Sequence, residues 1–169
     1  TFIIDEPFFV LATQNPIESV AIFPLPEAQM DRFLFKLYIN YPKMEEEQGI
    51  LQKNITVSSF SDFKIKSVIS SKEIIKMQEI VKKIYLSPDV EKYIVRLVDA
   101  TRFPGKYKLK NEKYIAWGGS PRASIGLYIA SKADALLQGR NYVTPQNVKN
   151  VAYDVLRHRI LINYEGQAE

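Results

Sequence analysis

The stretches PFFVLATQNP (Pro7–Pro16) and PLPEAQMDRFLFKLYINYP (Pro24–Pro42) decide the fold of this 169-residue chain. The first contains a short, continuous apolar run, Phe8–Ala12, which is typical of a strand buried on both faces of a parallel sheet. Polar amides, including Asn15, stand where this strand ends. Because ligands bind at the carboxyl ends of strands in open α/β sheets, these amides are candidates for a binding site.

The second stretch predicts a short helix followed by a second strand. The helix spans residues 27–33 with Pro26 as its first residue, a position that proline favours. Asp31 and Arg32 close this helix, and the apolar run over residues 33–41 predicts the strand. The N-terminal part of the chain is therefore predicted to complete a parallel sheet.

Beyond Lys43 the sequence predicts almost only helices, and we place a domain boundary there. Apolar residues recur at helical spacing behind four clear helix starts, which predicts a small helical bundle. These starts are one capping box and three hydroxyl residues followed by proline: Ser70–Glu73, Ser87-Pro88, Ser120-Pro121 and Thr144-Pro145.

The composition is that of a globular protein and excludes several kinds of site. Hydrophobic residues make up 46% of the chain, and no apolar run approaches the roughly 18 residues of a membrane span. With no cysteine and a single histidine, His158, the chain cannot form a thiolate or a histidine-rich metal centre. We assign His158 no chemistry and expect it to be a helix-end cation or to pack against the core. The net charge of +4 is modest, and scattered lysines favour solubility over nucleic-acid binding.

Three separate segments carry a family resemblance in the right order. ATQNP with PLPEAQMDRF, then GGSPRA (Gly118–Ala123) and DVLRHRI (Asp154–Ile160), resemble MoxR-type AAA+ ATPases. The resemblance implies an α/β plus α-helical fold, with the C-terminal portion of a P-loop AAA+ core sheet over residues 1–42 and a helical-bundle lid domain over residues 43–169. Residues Ser19–Ile22 depart from the family pattern.

The resemblance also implies roles for three residues. Asn15 corresponds to the first sensor, which orients the attacking water, and Arg32 to the arginine finger that reaches the neighbouring subunit's nucleotide. Arg122 corresponds to the second sensor. Independently of the family, Arg122 is the second residue of its helix, where a cation opposes the macrodipole unless an anion arrives. A phosphate would be held there by the helix N-terminus and the guanidinium together.

The 169 residues contain neither the phosphate-binding motif GxxxxGK[ST] nor an acidic pair after an apolar strand. We therefore expect a C-terminal fragment of a longer protein, inactive alone. The resemblance implies that the intact protein hydrolyses ATP with Mg²⁺, whose ligands would lie outside this chain. It further implies a cytoplasmic ring, expected to be a hexamer, that acts as a chaperone-like remodeler beside partners with von Willebrand factor A domains.

Alternative interpretations remain open for each residue and for the whole chain. Asn15 before proline is also typical of a turn, Arg32 of a helix C-terminus and Arg122 of a protein surface. The loop Lys106–Lys113, with nearby Trp117, could present basic and aromatic side chains to nucleic acid, but a solvated connection with inward aromatics is the favoured interpretation. A non-catalytic helical adaptor and a DNA-directed AAA+ motor are the rival functions.

Overall fold

A computed structural model describes residues 4, 6–14, 25–54 and 65–168. The predictions for Asn15 and for the loop Ser19–Ile22 fall outside these residues. None of the helices in the described ranges is long and apolar enough to cross a bilayer.

The described part of the chain consists mainly of helices. The first, α1, is shorter than predicted and begins after Pro26, which takes the cap position instead of the first helical position. The helices are α1 (Glu27–Met30), α2 (Met44–Asn54), α3 (Ser71–Lys83), α4 (Pro88–Arg102), α5 (Pro121–Leu137), α6 (Pro145–Leu156) and α7 (Tyr164–Ala168). Two 3₁₀ turns (Pro104–Tyr107 and Glu112–Tyr114) precede strand β1 (Ile115–Trp117), which pairs antiparallel with β2 (Leu161–Ile162).

The predicted helix starts are confirmed, each with a cap. Ser70 and Glu73 cap each other reciprocally at the start of α3. The hydroxyls of Ser87 and Ser120 accept hydrogen bonds from first-turn amides of α4 and α5. At α6, the backbone N–H of Thr144 donates over 2.8 Å to Oδ1 of Asn147. These caps satisfy amides that a helix leaves without partners, so the local sequence fixes where each helix begins.

The hydrophobic core lies in the bundle, with α5 at its centre. Helix α5 contacts α3, α4 and α6. The most buried side chains include Leu127 on α5, Val98 on α4, and Val148 and Val155 on α6. Gly126 allows α6 to approach closely, since a Cβ there would lie 3.0 Å from Cγ1 of Val155. The packing of α5 against its neighbours therefore fixes the position of its N-terminus.

The two predicted N-terminal strands are not formed, and this prediction was wrong for the described chain. Residues 6–14 and 33–43 run without secondary structure, and Phe9 and Leu11 are exposed. A strand needs a neighbouring strand to pair its amides and carbonyls. Within the described residues, neither segment has such a neighbour. Within the described ranges, the sheet consists of β1 and β2, which lie in the helical half.

Candidate functional site

The loop before α5 is pressed against the end of α4. The amide of Gly119 donates to Oγ1 of Thr101 over 2.9 Å, and Nε of Arg102 donates to the Gly119 carbonyl over 2.7 Å. A Cβ on Gly118 would lie 2.5 Å from the carbonyl carbon and oxygen of Thr101. Glycine at 118 thus permits the loop to approach α4 more closely than any side chain would allow. This contact fixes the position of Ser120, the cap of α5.

The carboxylate of Asp31 lies at the N-terminus of α5 and gathers three partners. The hydroxyl oxygen of Ser120 is 2.9 Å and 3.0 Å from its two oxygens. Nη1 of Arg122 donates to it over 3.1 Å, and Nε of Arg159 donates over 3.1 Å. The Asp31 side chain is only 17% exposed. Residues from three distant parts of the sequence therefore meet at one carboxylate, which we call the Asp31 cluster.

The charges of the Asp31 cluster favour an anion. Burial alone would raise the pKa of the Asp31 carboxyl, but hydrogen bonds from Arg122, Ser120 and Arg159, with the charge of Arg159, outweigh it and lower this pKa below 3.8. The position of Arg122 near the start of α5 called for an anion, and the structure supplies Asp31. The Arg122 side chain is 55% exposed and, within the described ranges, makes no hydrogen bond other than the one to Asp31. The guanidinium therefore has donors left for an external anion.

Arg159, in the turn after α6, fixes the backbone around Asp31. Its side chain is 3% exposed. Its guanidinium donates to the carbonyls of Asp31 (3.1 Å), Phe33 (2.6 Å) and Leu34 (3.2 Å), and also to that of Val155 on α6. Each of these bonds involves a buried charged group, which makes it stronger than a neutral hydrogen bond. The segment 31–34 is thus held to the helical bundle.

His158 also binds this segment and is packed in the core, one of the two placements expected from the sequence. Its Nε2 lies 2.9 Å from the carbonyl of Phe33, so Nε2 carries the proton. Its Nδ1 is buried without a hydrogen-bond partner among the described residues. Burial, together with the nearby charges of Arg159 and Lys36, lowers the pKa of His158 below 6.5, and the bond to Phe33 only partly offsets this.

Arg32 immediately follows Asp31 in the turn after α1, and its side chain is exposed. The part of the chain that the structure describes gives it no ion pair. The structure thus brings Arg122 into the Asp31 cluster and places Arg32 beside it, while Asn15 lies outside the described residues. Sequence reasoning missed Arg159 as a member of the cluster. The signal in the sequence was its place in DVLRHRI, one of the three segments that carry the family resemblance.

The basic and aromatic loop before β1 makes mostly internal contacts. Nζ of Lys106 and the hydroxyl of Tyr107 both donate to Asp99 over 2.8 Å. Nζ of Lys113 lies 4.6 Å from the centre of the Tyr114 ring. The expectation of inward aromatics was wrong for Trp117, whose exposed fraction is 72%.

Comparisons with known proteins match both halves of the chain. The family model for the ATPase family associated with various cellular activities (AAA) matches residues 1–35, and the model for the AAA lid domain matches residues 108–169. Chaperone MoxR1 of Mycobacterium tuberculosis is 42% identical over 170 residues, covering 100% of this chain and 44% of the relative. Protein MoxR of Paracoccus denitrificans is 30% identical, covering 95% and 50%. The chain belongs to the MoxR-type AAA+ family.

A solved structure supports the fold assignment. The crystal structure of a Cytophaga hutchinsonii protein, described as a "putative ATPase", superposes with a TM-score of 0.87 at 41% sequence identity. This match covers 99% of the present chain and 50% of that protein. The fold class predicted from the sequence, an AAA+ core segment with a helical lid, is confirmed. The MoxR-type chain spans about half the length of the curated relatives it matches.

Proposed function

We propose that this chain supplies the end of the AAA+ core and the lid of a chaperone-like, ATP-hydrolysing MoxR-type protein. In this proposal Arg122 contacts a nucleotide phosphate from the same subunit. Arg32 reaches the nucleotide of the neighbouring subunit, and Asn15 orients the attacking water. The observation that carries the proposal is the half-exposed guanidinium of Arg122 at the N-terminus of α5, beside an internal carboxylate.

The chemistry at the start of α5 fits a phosphate. Amides at a helix N-terminus point toward an anion, and the helix dipole favours negative charge there. The Asp31 carboxylate already occupies such a position and binds both Ser120 and Arg122. A phosphate oxygen offers the same charge and hydrogen-bond acceptors. Arg122 can therefore bind phosphate with the donors that Asp31 leaves unused.

Arg32 has the properties that a finger acting between subunits requires. It is exposed, and its neighbours in the chain are fixed by Arg159. A planar guanidinium stabilises the charge that spreads over the oxygens of a transferring phosphoryl group. Such a finger needs an adjacent subunit, so we propose a head-to-tail ring, with six subunits as in the family pattern.

The remaining components would come from outside the described residues. ATP would supply the phosphoryl group, and bound Mg²⁺ would neutralise charge on its phosphates. The described ranges contain no group of three or more His, Cys, Asp or Glu residues that could hold a metal ion. We propose that the magnesium ligands and the phosphate loop lie in other parts of the protein, since the sequence of this chain contains neither the phosphate-binding motif nor the acidic pair. We further propose a cytoplasmic location and a partner protein with a von Willebrand factor A domain.

The test uses a protein that contains this chain together with a phosphate loop. We expect Arg32→Ala to lower the turnover number for ATP by roughly 10³–10⁵ and to leave nucleotide affinity nearly unchanged. The matched control is Arg140→Ala, which removes an exposed arginine from the turn after α5. Turnover of Arg32→Ala equal to that of the control would overturn the proposed role.

A further inference from the structure

The residues on both sides of Arg32 are held by the lid, although Arg32 itself is exposed. Arg159 binds the carbonyls of Asp31 and Phe33, which precede and follow Arg32 in the chain. His158 shares the Phe33 carbonyl over 2.9 Å. The backbone that carries Arg32 is therefore fixed by two consecutive side chains from the turn after α6.

Two further contacts extend this attachment. Arg159 donates through Nε to the Asp31 carboxylate over 3.1 Å, which orients the guanidinium by a charged partner as well as by carbonyls. The amide of Lys36 donates to the carbonyl of Asp154 on α6 over 2.9 Å. Segment 31–36 thus lies along the end of α6, and Arg159 is the residue that contributes most of the bonds.

We propose that Arg159 is a positioning residue for Arg32: it holds the turn in the orientation from which Arg32 reaches the nucleotide of the neighbouring subunit. This inference rests on the proposed function of Arg32. Arg159 is 3% exposed and acts through the backbone of segment 31–34, so it does not itself touch nucleotide. A charged group acts on a phosphoryl transfer only from the correct place, and a shift of about 1 Å costs roughly 10²-fold in rate.

The first test compares two neighbouring arginines in the protein that contains this chain and a phosphate loop. We expect Arg159→Leu to lower turnover roughly 10- to 100-fold with nucleotide affinity nearly unchanged. Arg157→Leu is the matched control, because it removes the same charge from the same turn, whereas Arg157 pairs with Asp154 and makes no hydrogen bond to segment 31–34. Equal turnover in the two variants would overturn the proposal.

A structural role alone would also slow the enzyme, so the second test asks in which subunit Arg159 acts. Arg159→Leu subunits and Asn15→Ala subunits are mixed and allowed to exchange into common rings. The Arg159→Leu subunit keeps its own Asn15 and can borrow a correctly held Arg32 from its neighbour. We therefore expect the mixture to exceed the activity of either variant alone and to approach roughly a quarter of the unmodified rate. If Arg159→Leu does not fold, Arg159→Lys takes its place, since a lysine keeps the charge beside Asp31 but lacks the planar fork that binds several carbonyls.

The reference for this experiment is a mixture of Arg32→Ala and Asn15→Ala subunits. Recovery in both mixtures supports the positioning role. Recovery in the reference mixture alone would show that Arg159 acts within its own subunit and would overturn the inference while leaving the proposed function intact. A reference mixture that exchanges subunits yet stays inactive would overturn both.

Discussion

The guanidinium of Arg122 donates to the carboxylate of Asp31 over 3.1 Å and so joins residues that are 91 positions apart in the chain. The pair links the end of the core segment to the start of α5. Because more than half of the Arg122 side chain is exposed, solvent screens the pair, and such pairs contribute only about 0–1 kcal/mol. A nucleotide phosphate can therefore compete with Asp31 for Arg122 at small cost.

Loss of Arg122 should affect binding and catalysis together. We expect Arg122→Ala to weaken nucleotide affinity and also to slow turnover, because a phosphate contact made in the ground state and kept in the transition state affects both. Nucleotide titration and steady-state ATPase assays on the longer protein measure the two effects. Affinity and turnover both equal to those of the unmodified protein would leave Arg122 as a surface residue.

The environment of His158 predicts a loss of stability in mild acid. Its pKa is lowered below 6.5 in the folded state, mainly by burial, whereas the unfolded state keeps the ordinary value. The unfolded state therefore binds the proton more readily, and the stabilising contribution is complete above pH 6.5 and falls as the pH falls toward the folded-state pKa. Denaturant unfolding at about pH 7.5 and about pH 5 should show this decrease in the free energy of unfolding.

A variant without a titratable side chain at position 158 provides the control for the pH effect. His158→Gln keeps an amide donor for the Phe33 carbonyl but cannot take up a proton, so its free energy of unfolding should fall less between the two pH values. Asp31 does not interfere, because its lowered pKa keeps it ionised throughout this window. An equal fall in both proteins would assign the acid sensitivity to other groups.

Two glycines should respond to alanine in opposite directions. At Gly118 an added methyl group would meet backbone atoms of Thr101 at 2.5 Å, so Gly118→Ala should destabilise the protein by about 1–3 kcal/mol. At Gly49, within α2, no atom of the described residues lies within 4 Å of the added methyl, and Gly49→Ala should stabilise the protein by about 0.5–1 kcal/mol. Chemical denaturation of the two variants compares them. A stable Gly118→Ala protein would mean that the loop can withdraw from α4.

The sequence predicted the helical half well because each helix start depends on neighbouring residues. The cap at Ser120 and the reciprocal cap of Ser70 with Glu73 are local, and the structure confirms them. The prediction of the strands was wrong for the opposite reason, because the apolar run Phe8–Ala12 forms a strand only when neighbouring strands pair with it. Arg159 was missed as a site residue because its partners lie more than 120 positions away, and no local pattern predicts a contact at that separation.

Mixing two inactive proteins tests whether Arg32 acts in trans, on the nucleotide of the neighbouring subunit. Arg32→Ala and Asn15→Ala should each nearly abolish hydrolysis, the first because the neighbour's site loses its finger and the second because its own site loses the water-orienting amide. In a head-to-tail ring of randomly mixed subunits, roughly a quarter of the interfaces combine an intact Asn15 with an intact Arg32 from the next subunit.

The measurement is the ATPase rate of the equal mixture after subunit exchange, compared with each variant alone. If Arg32 acts in trans, the rate recovers to a sizeable fraction of that of the unmodified protein. If Arg32 instead acted within its own subunit, every site in the mixture would lack one group. A mixture that exchanges subunits yet remains inactive would contradict the trans action of Arg32.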